Sequence, residues 1–159
     1  MPIRVAVATL AILAGVSHSS HAQLITHRDL SLKMALAIAT GALEVCNDTT
    51  SIAVVDRAGR VRVLLEGDNA SPHNAELARR KAYTARTFRS PSGEWAKRTE
   101  TTNGGQRELT DVIPLGGGMP IKVGEETIGG VGLSGAVGGQ PMEEKCANAG
   151  IAKVAEHLK

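Results

Sequence analysis

An α+β domain is predicted for this chain, and three features predict it. Two stretches read as β-hairpins, Ser51–Leu65 and Met119–Leu133. Helix-period segments stand before, between and after them. One of these helices carries a stripe of alanines, and one strand carries three glycines, so a helix and a sheet can approach closely. Helices laid on the faces of an antiparallel sheet are the architecture that such an order allows.

The first helix is expected within residues 28–47, where Leu30, Met34, Ala35, Ile38, Leu43 and Cys46 recur at helical spacing. Asp29 or Ser31 can cap its start. Ser51–Val55 then reads as an apolar strand, Asp56-Arg57-Ala58-Gly59 as a turn, and Val61–Leu65 as the returning strand. Ser71-Pro72 is a helix-start signal, with Ser as cap and Pro in the first turn, and the helix is expected to run to about Thr87. Ala75, Ala78, Ala82 and Ala85 line one narrow face of it. Ser90-Pro91 repeats the signal for a short helix through Trp95 and Ala96.

From Thr99 to Arg107 the periodicity is lost, and a mobile polar loop is expected. Gly116-Gly117-Gly118 follows, then strands over Met119–Val123 and Thr127–Leu133 joined by Gly124-Glu125-Glu126. Gly129, Gly130 and Gly132 permit close approach of a helix or a ligand. After a loop at Gly135–Gln140, Pro141 opens a final helix containing Cys146, Ile151, Val154 and Leu158.

Residues 1–22 precede this domain and read as a secretory signal. Arg4 leads an apolar run from Val5 to Val16, and small residues end at Ala22. The run is shorter than the roughly 20 residues of a membrane-spanning helix. An ordinary buried N-terminal helix is the alternative. Cleavage after Ala22 would leave one domain, residues 23–159, exported to the periplasm or secreted. Its 17 bases against 16 acids show no basic tail, so nucleic acid is not expected as a partner. Stable membrane insertion is not expected either.

In an oxidising compartment, Cys46 and Cys146 are read as a disulfide closing a loop of about 100 residues. Two buried thiols, or a metal or redox pair, are the alternatives, and no C-x-x-C supports the last. If the first and last helices lie side by side on one sheet face, the two cysteines can meet.

Chemistry-bearing residues are few. No serine-nucleophile elbow, phosphate loop or paired His spacing occurs. His27, His73 and His157 are far apart in sequence. His157 is read as a surface residue, whereas His27 and His73 are the candidate metal ligands should a haem iron need an imidazole. Arg79, Arg80 and Lys81 can meet haem propionates or another anion, or pair with Glu76; Tyr83, one turn on, can add a ring. Tyr83, Phe88 and Trp95 fall within 13 residues, either as a cofactor wall or as filling around one helix.

The segments SIAVVDRAGR at 51–60, AELARRKAYTA at 75–85, GGGMPI at 116–121, GEETIGGVGLSG at 124–135 and CANAG at 146–150 together resemble the GlcG/HbpS-like family (DUF336). The resemblance spans nearly all of 25–158. It implies a profilin-like three-layer domain, a five-stranded antiparallel sheet with helices on both faces. It implies homo-oligomers (dimers, tetramers or octamers) and, in some members, haem binding, haem degradation or iron handling. Arg80, Lys81, Thr84, Gly116, Gly117, Gly118 and Ser134-Gly135 carry over as motif positions. The extension Arg89–Gln106 is a candidate pocket edge or oligomer contact. The expected function is an exported haem-binding or haem-handling protein, with a site near the second helix and the glycine-rich segment. A small-molecule-binding or sensory module without haem, and a non-catalytic oligomeric scaffold, are the alternatives.

Overall fold

The computed structural model describes residues 23–159. The expected signal, residues 1–22, lies outside the described residues. Ten elements follow in order. They are α1 (Leu32–Val45), β1 (Ser51–Val55), β2 (Val61–Glu66), α2 (Asn74–Phe88) and α3 (Ser92–Thr101). A 3-10 turn at Gly104–Glu108 leads to β3 (Gly118–Val123), β4 (Glu126–Ser134), α4 (Gly139–Ala152) and a last 3-10 turn at Ala155–His157.

The two expected hairpins form and join into one antiparallel sheet, in the order β2-β1-β4-β3. The central pairing of β1 with β4 runs Ser51 opposite Ser134 to Val55 opposite Gly130. The sheet has four strands, not the five that the family resemblance implied. Residues 102–117, the longest stretch between α3 and β3, take the 3-10 turn and an irregular path instead. That path includes Pro114 and left-handed backbone at Asp111 and Gly117, which a ladder does not accept.

Side chains alternate across β1 and sort the helices into two layers. Ile52 and Val54 point into the main core with Ile38 and Ala42 of α1, Cys146 and Ala147 of α4, and Val131 and Leu133 of β4. Ala53 and Val55 meet Ala78 and Ala82 of α2 on the other face. The glycines of β4 make that second contact possible: a Cβ on Gly130 would strike the carbonyl of Ala82, and one on Gly132 the backbone of Ala78 and Ala82. The alanine stripe and the glycine strand are therefore two halves of one close helix–sheet contact.

On the first face α1 and α4 pack side by side, and Cys46 and Cys146 form a disulfide with Cα atoms 5.8 Å apart. Trp95 is fully buried, stacks on Phe88 with ring centroids 4.6 Å apart and donates to Gln106 Oε1 at 3.2 Å. Two of the three rings thus fill the α2–α3 junction.

Several boundaries differ from expectation for local reasons. Ser31 caps α1 by accepting from the Met34 N–H, but Ser71-Pro72 lies in a turn and α2 starts from His73, which makes no side-chain cap. Pro91, not Ser90, is the N-cap of α3. The final helix stops at Ala152, so Val154 and Leu158 fall outside it. The segment expected as a mobile loop is instead held down. Arg107 donates to the Ala96 carbonyl at 2.6 Å and to Thr99 Oγ1 at 3.0 Å. Among the described residues no helix is long and apolar enough to cross a membrane.

Candidate functional site

The Arg79-Arg80-Lys81 triplet sits mid-helix on α2, and each member has a protein partner. Arg79 holds Glu76 in a two-bond fork at 2.7 and 2.8 Å and reaches Asp111 at 2.7 Å. These two carboxylates raise the Arg79 pKa above its ordinary value, and the Arg79 hydrogen bonds lower that of Glu76. Arg80 donates to the Val112 carbonyl. Thr84, one turn on, accepts from the Ile113 N–H at 2.9 Å. Arg79, Arg80 and Thr84 therefore fasten the irregular run 111–113 onto α2.

Lys81 is buried and forms an ion pair with Glu143 of α4 at 2.6 Å. Its Nζ also donates to the Leu133 carbonyl at 2.9 Å, while Glu143 accepts from the Gly135 N–H at 3.0 Å. Nothing in the local sequence marks Glu143 as its partner, 62 residues away.

Gly116-Gly117-Gly118 runs over this pair. Gly117 has φ +104° and lies against the Glu143 carboxylate; Gly118 lies against the Lys81 carbonyl, so neither has room for a side chain. Their N–H groups donate to side chains: Gly116 to Gln140 at 2.6 Å and Gly118 to Ser92 at 2.8 Å, with a longer contact from Gly117 to Glu144 at 3.4 Å. Above them opens a cleft of about 810 Å³ between α3 and the start of α4. Pro91, Ala96, Pro114 and Met119 give it apolar walls. Its charged lining is Glu94, Glu100 and Glu144 against Lys97. A cleft with that acid excess is poorly matched to the anionic edge of a porphyrin. The Arg89–Gln106 extension supplies much of its rim.

The two candidate iron ligands lie at opposite ends of α2. His73 precedes its first residue and is exposed, next to Asn74, which bonds the Thr49 carbonyl and Ser134. His27 is exposed in the segment leading to α1. That segment is fixed at the other end: Arg28 pairs with Glu126 at 3.0 Å, and Asp29 accepts from the Arg57 N–H at 2.9 Å. Fifteen helical residues span about 22 Å, so the two imidazoles do not converge within one subunit.

Tyr83 belongs with Arg57 and Arg86 rather than with Arg79 and Arg80. Its ring covers the Gly59 turn, where φ is +77°, and lines a hollow with Arg57 and Arg86. Arg57, Arg86 and Arg89 come together here from the β1–β2 turn and the end of α2. In the sequence Arg86 reads as part of a local basic patch with Arg79, Arg80 and Lys81; its grouping with Arg57 and Arg89 was missed because these residues are dispersed. His157, in the last 3-10 turn, is exposed as expected. Among the described residues no three His, Cys, Asp or Glu side chains gather as a metal site.

The family model described as haem degrading protein HbpS-like matches residues 30–152. The fold is similar to a crystal structure of HbpS, with TM-score 0.78 and 33% identity over 85% of this chain and 96% of that one. A double-mutant form of Streptomyces reticuli HbpS matches with TM-score 0.75 and 32% identity, covering 92% of this chain and 97% of that one. An uncharacterized 15.0 kDa protein from the dhaT-dhaS intergenic region of Citrobacter freundii is 32% identical over 110 residues, 65% of this chain and 75% of its own length.

Proposed function

Because this chain belongs to the HbpS-like family, we propose that it is an exported haem-handling protein that binds haem at the His27 end of α2. One juxtaposition carries the reading: the segment bearing His27 is tied through Arg28 and Asp29 to Glu126 and Arg57, beside Tyr83, Arg86 and Arg89. The donor set fits the group. A neutral imidazole is a haem-iron ligand, and guanidinium forks suit carboxylates such as propionates. His73 lies instead beside Asn74, whose partners Thr49 and Ser134 are uncharged.

In this reading His27 holds the iron, the arginines hold the propionates and Tyr83 offers an apolar ring face. Bound haem supplies a redox-active iron able to react with peroxide or dioxygen. Export is supported by the character of residues 1–22 and is compatible with the Cys46–Cys146 disulfide. Assembly into dimers or larger oligomers is supported by the edge strand β2, which exposes Val61 and Leu64, and by exposed Leu32 and Leu36 on α1.

Haem titration of the chain from Gln23 onward tests the proposal. Saturable binding with a defined Soret band is expected, with the band shifted or weakened in His27→Ala and unchanged in His73→Ala. A folded sample that shows no saturable binding would overturn it. The second reading, a small-molecule-binding module without haem, is favoured by the α3–α4 cleft, which is the larger cavity, holds no imidazole and is acidic.

A further inference from the structure

We propose that the small cavity walled by Arg57, Arg86, Arg89 and Thr127 binds a single oxyanion, the phosphate, sulfate or carboxylate group of a ligand. The cavity measures about 120 Å³ and lies between the end of α2 and the β3–β4 turn. Two of its lining residues also carry a buried polar atom, Nε of Arg86 and Oγ1 of Thr127, that has no hydrogen-bond partner among the described residues. Buried polar groups are nearly always paired, so two orphans on residues lining one small cavity call for a shared partner.

Charge identifies that partner. Among the described residues neither Arg86 nor Arg89 has a carboxylate at ion-pair distance. The two acids on the rim are Glu125, which is exposed, and Glu126, which is already shared by Arg57 and Arg28. Burial, then the positive charges of Arg57 and Arg89, pull the Arg86 pKa down, and Asp29 and Asp56, whose carboxylates already accept backbone N–H bonds, offset this only in part. A water molecule could satisfy an orphan atom but would add no negative charge beside Arg86 and Arg89, which have no ion-pair partner of their own among the described residues. An oxyanion does both: it accepts from Arg86 Nε and Thr127 Oγ1 and offsets the arginines.

The site stands without haem, and rests on the haem reading only for one of its two anion sources: a free ion such as phosphate, or a haem propionate. The test is thermal unfolding of the purified haem-free protein against inorganic phosphate and against acetate, at constant ionic strength. A saturable rise in Tm is expected. Arg86→Met keeps the aliphatic stem that packs on Gly130 and should weaken affinity about tenfold or more, the scale of one charge-assisted hydrogen bond. Arg89→Asn, which tolerates the left-handed backbone at φ +56°, and Thr127→Val should weaken it as well. Arg62→Ala, an exposed charge on β2, should not.

Haem is then added as a competitor. Displacement of phosphate by haem assigns the site to a propionate; independent binding assigns it to a free anion; either supports the site. If haem fails to bind at all while phosphate still does, the functional reading falls and the oxyanion site stands. No saturable effect of either anion, or equal losses in Arg62→Ala and Arg86→Met, would overturn the oxyanion site whatever haem does.

Discussion

Lys81 of α2 and Glu143 of α4 meet at 2.6 Å, although their helices pack on opposite faces of the sheet. The lysine reaches across because Gly118 and Gly132, paired in β3 and β4, present no side chains at that point. Both charged groups are about 95% buried, and their remaining bonds go to Leu133 and Gly135. The pair ties the two layers together and seats the Gly116–Gly118 run.

Removing one partner leaves a buried charge without its counter-ion, which typically costs about 3–5 kcal/mol. Lys81→Met and Glu143→Leu are therefore each expected to lower unfolding free energy on that scale, by urea titration. The double variant Lys81→Met/Glu143→Leu should recover much of the loss. Additive losses in the double variant would show that the pair is not coupled.

Reduction of Cys46–Cys146 releases a loop whose ends are 100 residues apart. Chain-entropy arguments place the loss near 4.7 kcal/mol, and removal of native disulfides usually costs about 2–5 kcal/mol. Cys46→Ser/Cys146→Ala should show a lower denaturation midpoint than the oxidised chain and the same midpoint in the presence and absence of a reductant.

Gly132→Ala is expected to destabilise by about 3 kcal/mol, because the new Cβ meets the backbone of α2 rather than a movable side chain. Gly105→Ala has open space around it and should leave Tm nearly unchanged. Similar Tm values for the two variants would argue against the close α2–β4 contact.

Acid stability should depend on Glu76 and Glu126. Hydrogen bonds from Arg79 hold the Glu76 pKa below its ordinary 4.5, and hydrogen bonds from Arg57 and Arg28 do the same for Glu126. A carboxylate with a depressed folded pKa contributes stability that is full above the unfolded value and is lost as pH falls through the folded one. Glu76→Gln/Glu126→Gln should thus show a shallower loss of stability than the parent chain from about pH 5 to about pH 3, followed by chemical denaturation across that range. An identical slope would remove both pairs from the acid response.

The four strands were legible because each hairpin carries its own apolar runs and turn residues, and α2 because its alanines repeat at helical spacing. The helix start at Ser71 was expected two residues early because a Ser-Pro signal is also a turn signal, and there the turn prevailed; at Ser90 the expectation was one residue early, α3 following directly from Pro91. The 99–107 segment looked mobile because its anchors are side-chain bonds, from Arg107 and Gln106, that leave no periodicity. The fifth strand came from family resemblance alone; no residue pattern in the chain had asked for it.

Local order and the residue inventory were within the reach of the sequence: an α+β domain, two hairpins, a close-packing alanine helix, two cysteines able to bond and a family likeness. Which charges meet was decided only by the tertiary structure. Lys81 goes inward to Glu143, Arg79 goes to Glu76 and Asp111, and Arg86 and Arg89, dispersed from Arg57 in sequence, line one small cavity with it. The physical reason is range. Backbone propensity and hydrophobic periodicity act over a few residues, so they are written locally. A charge pair forms wherever folding brings two side chains within a few ångströms, and for Lys81 and Glu143 that partner lies 62 residues along the chain.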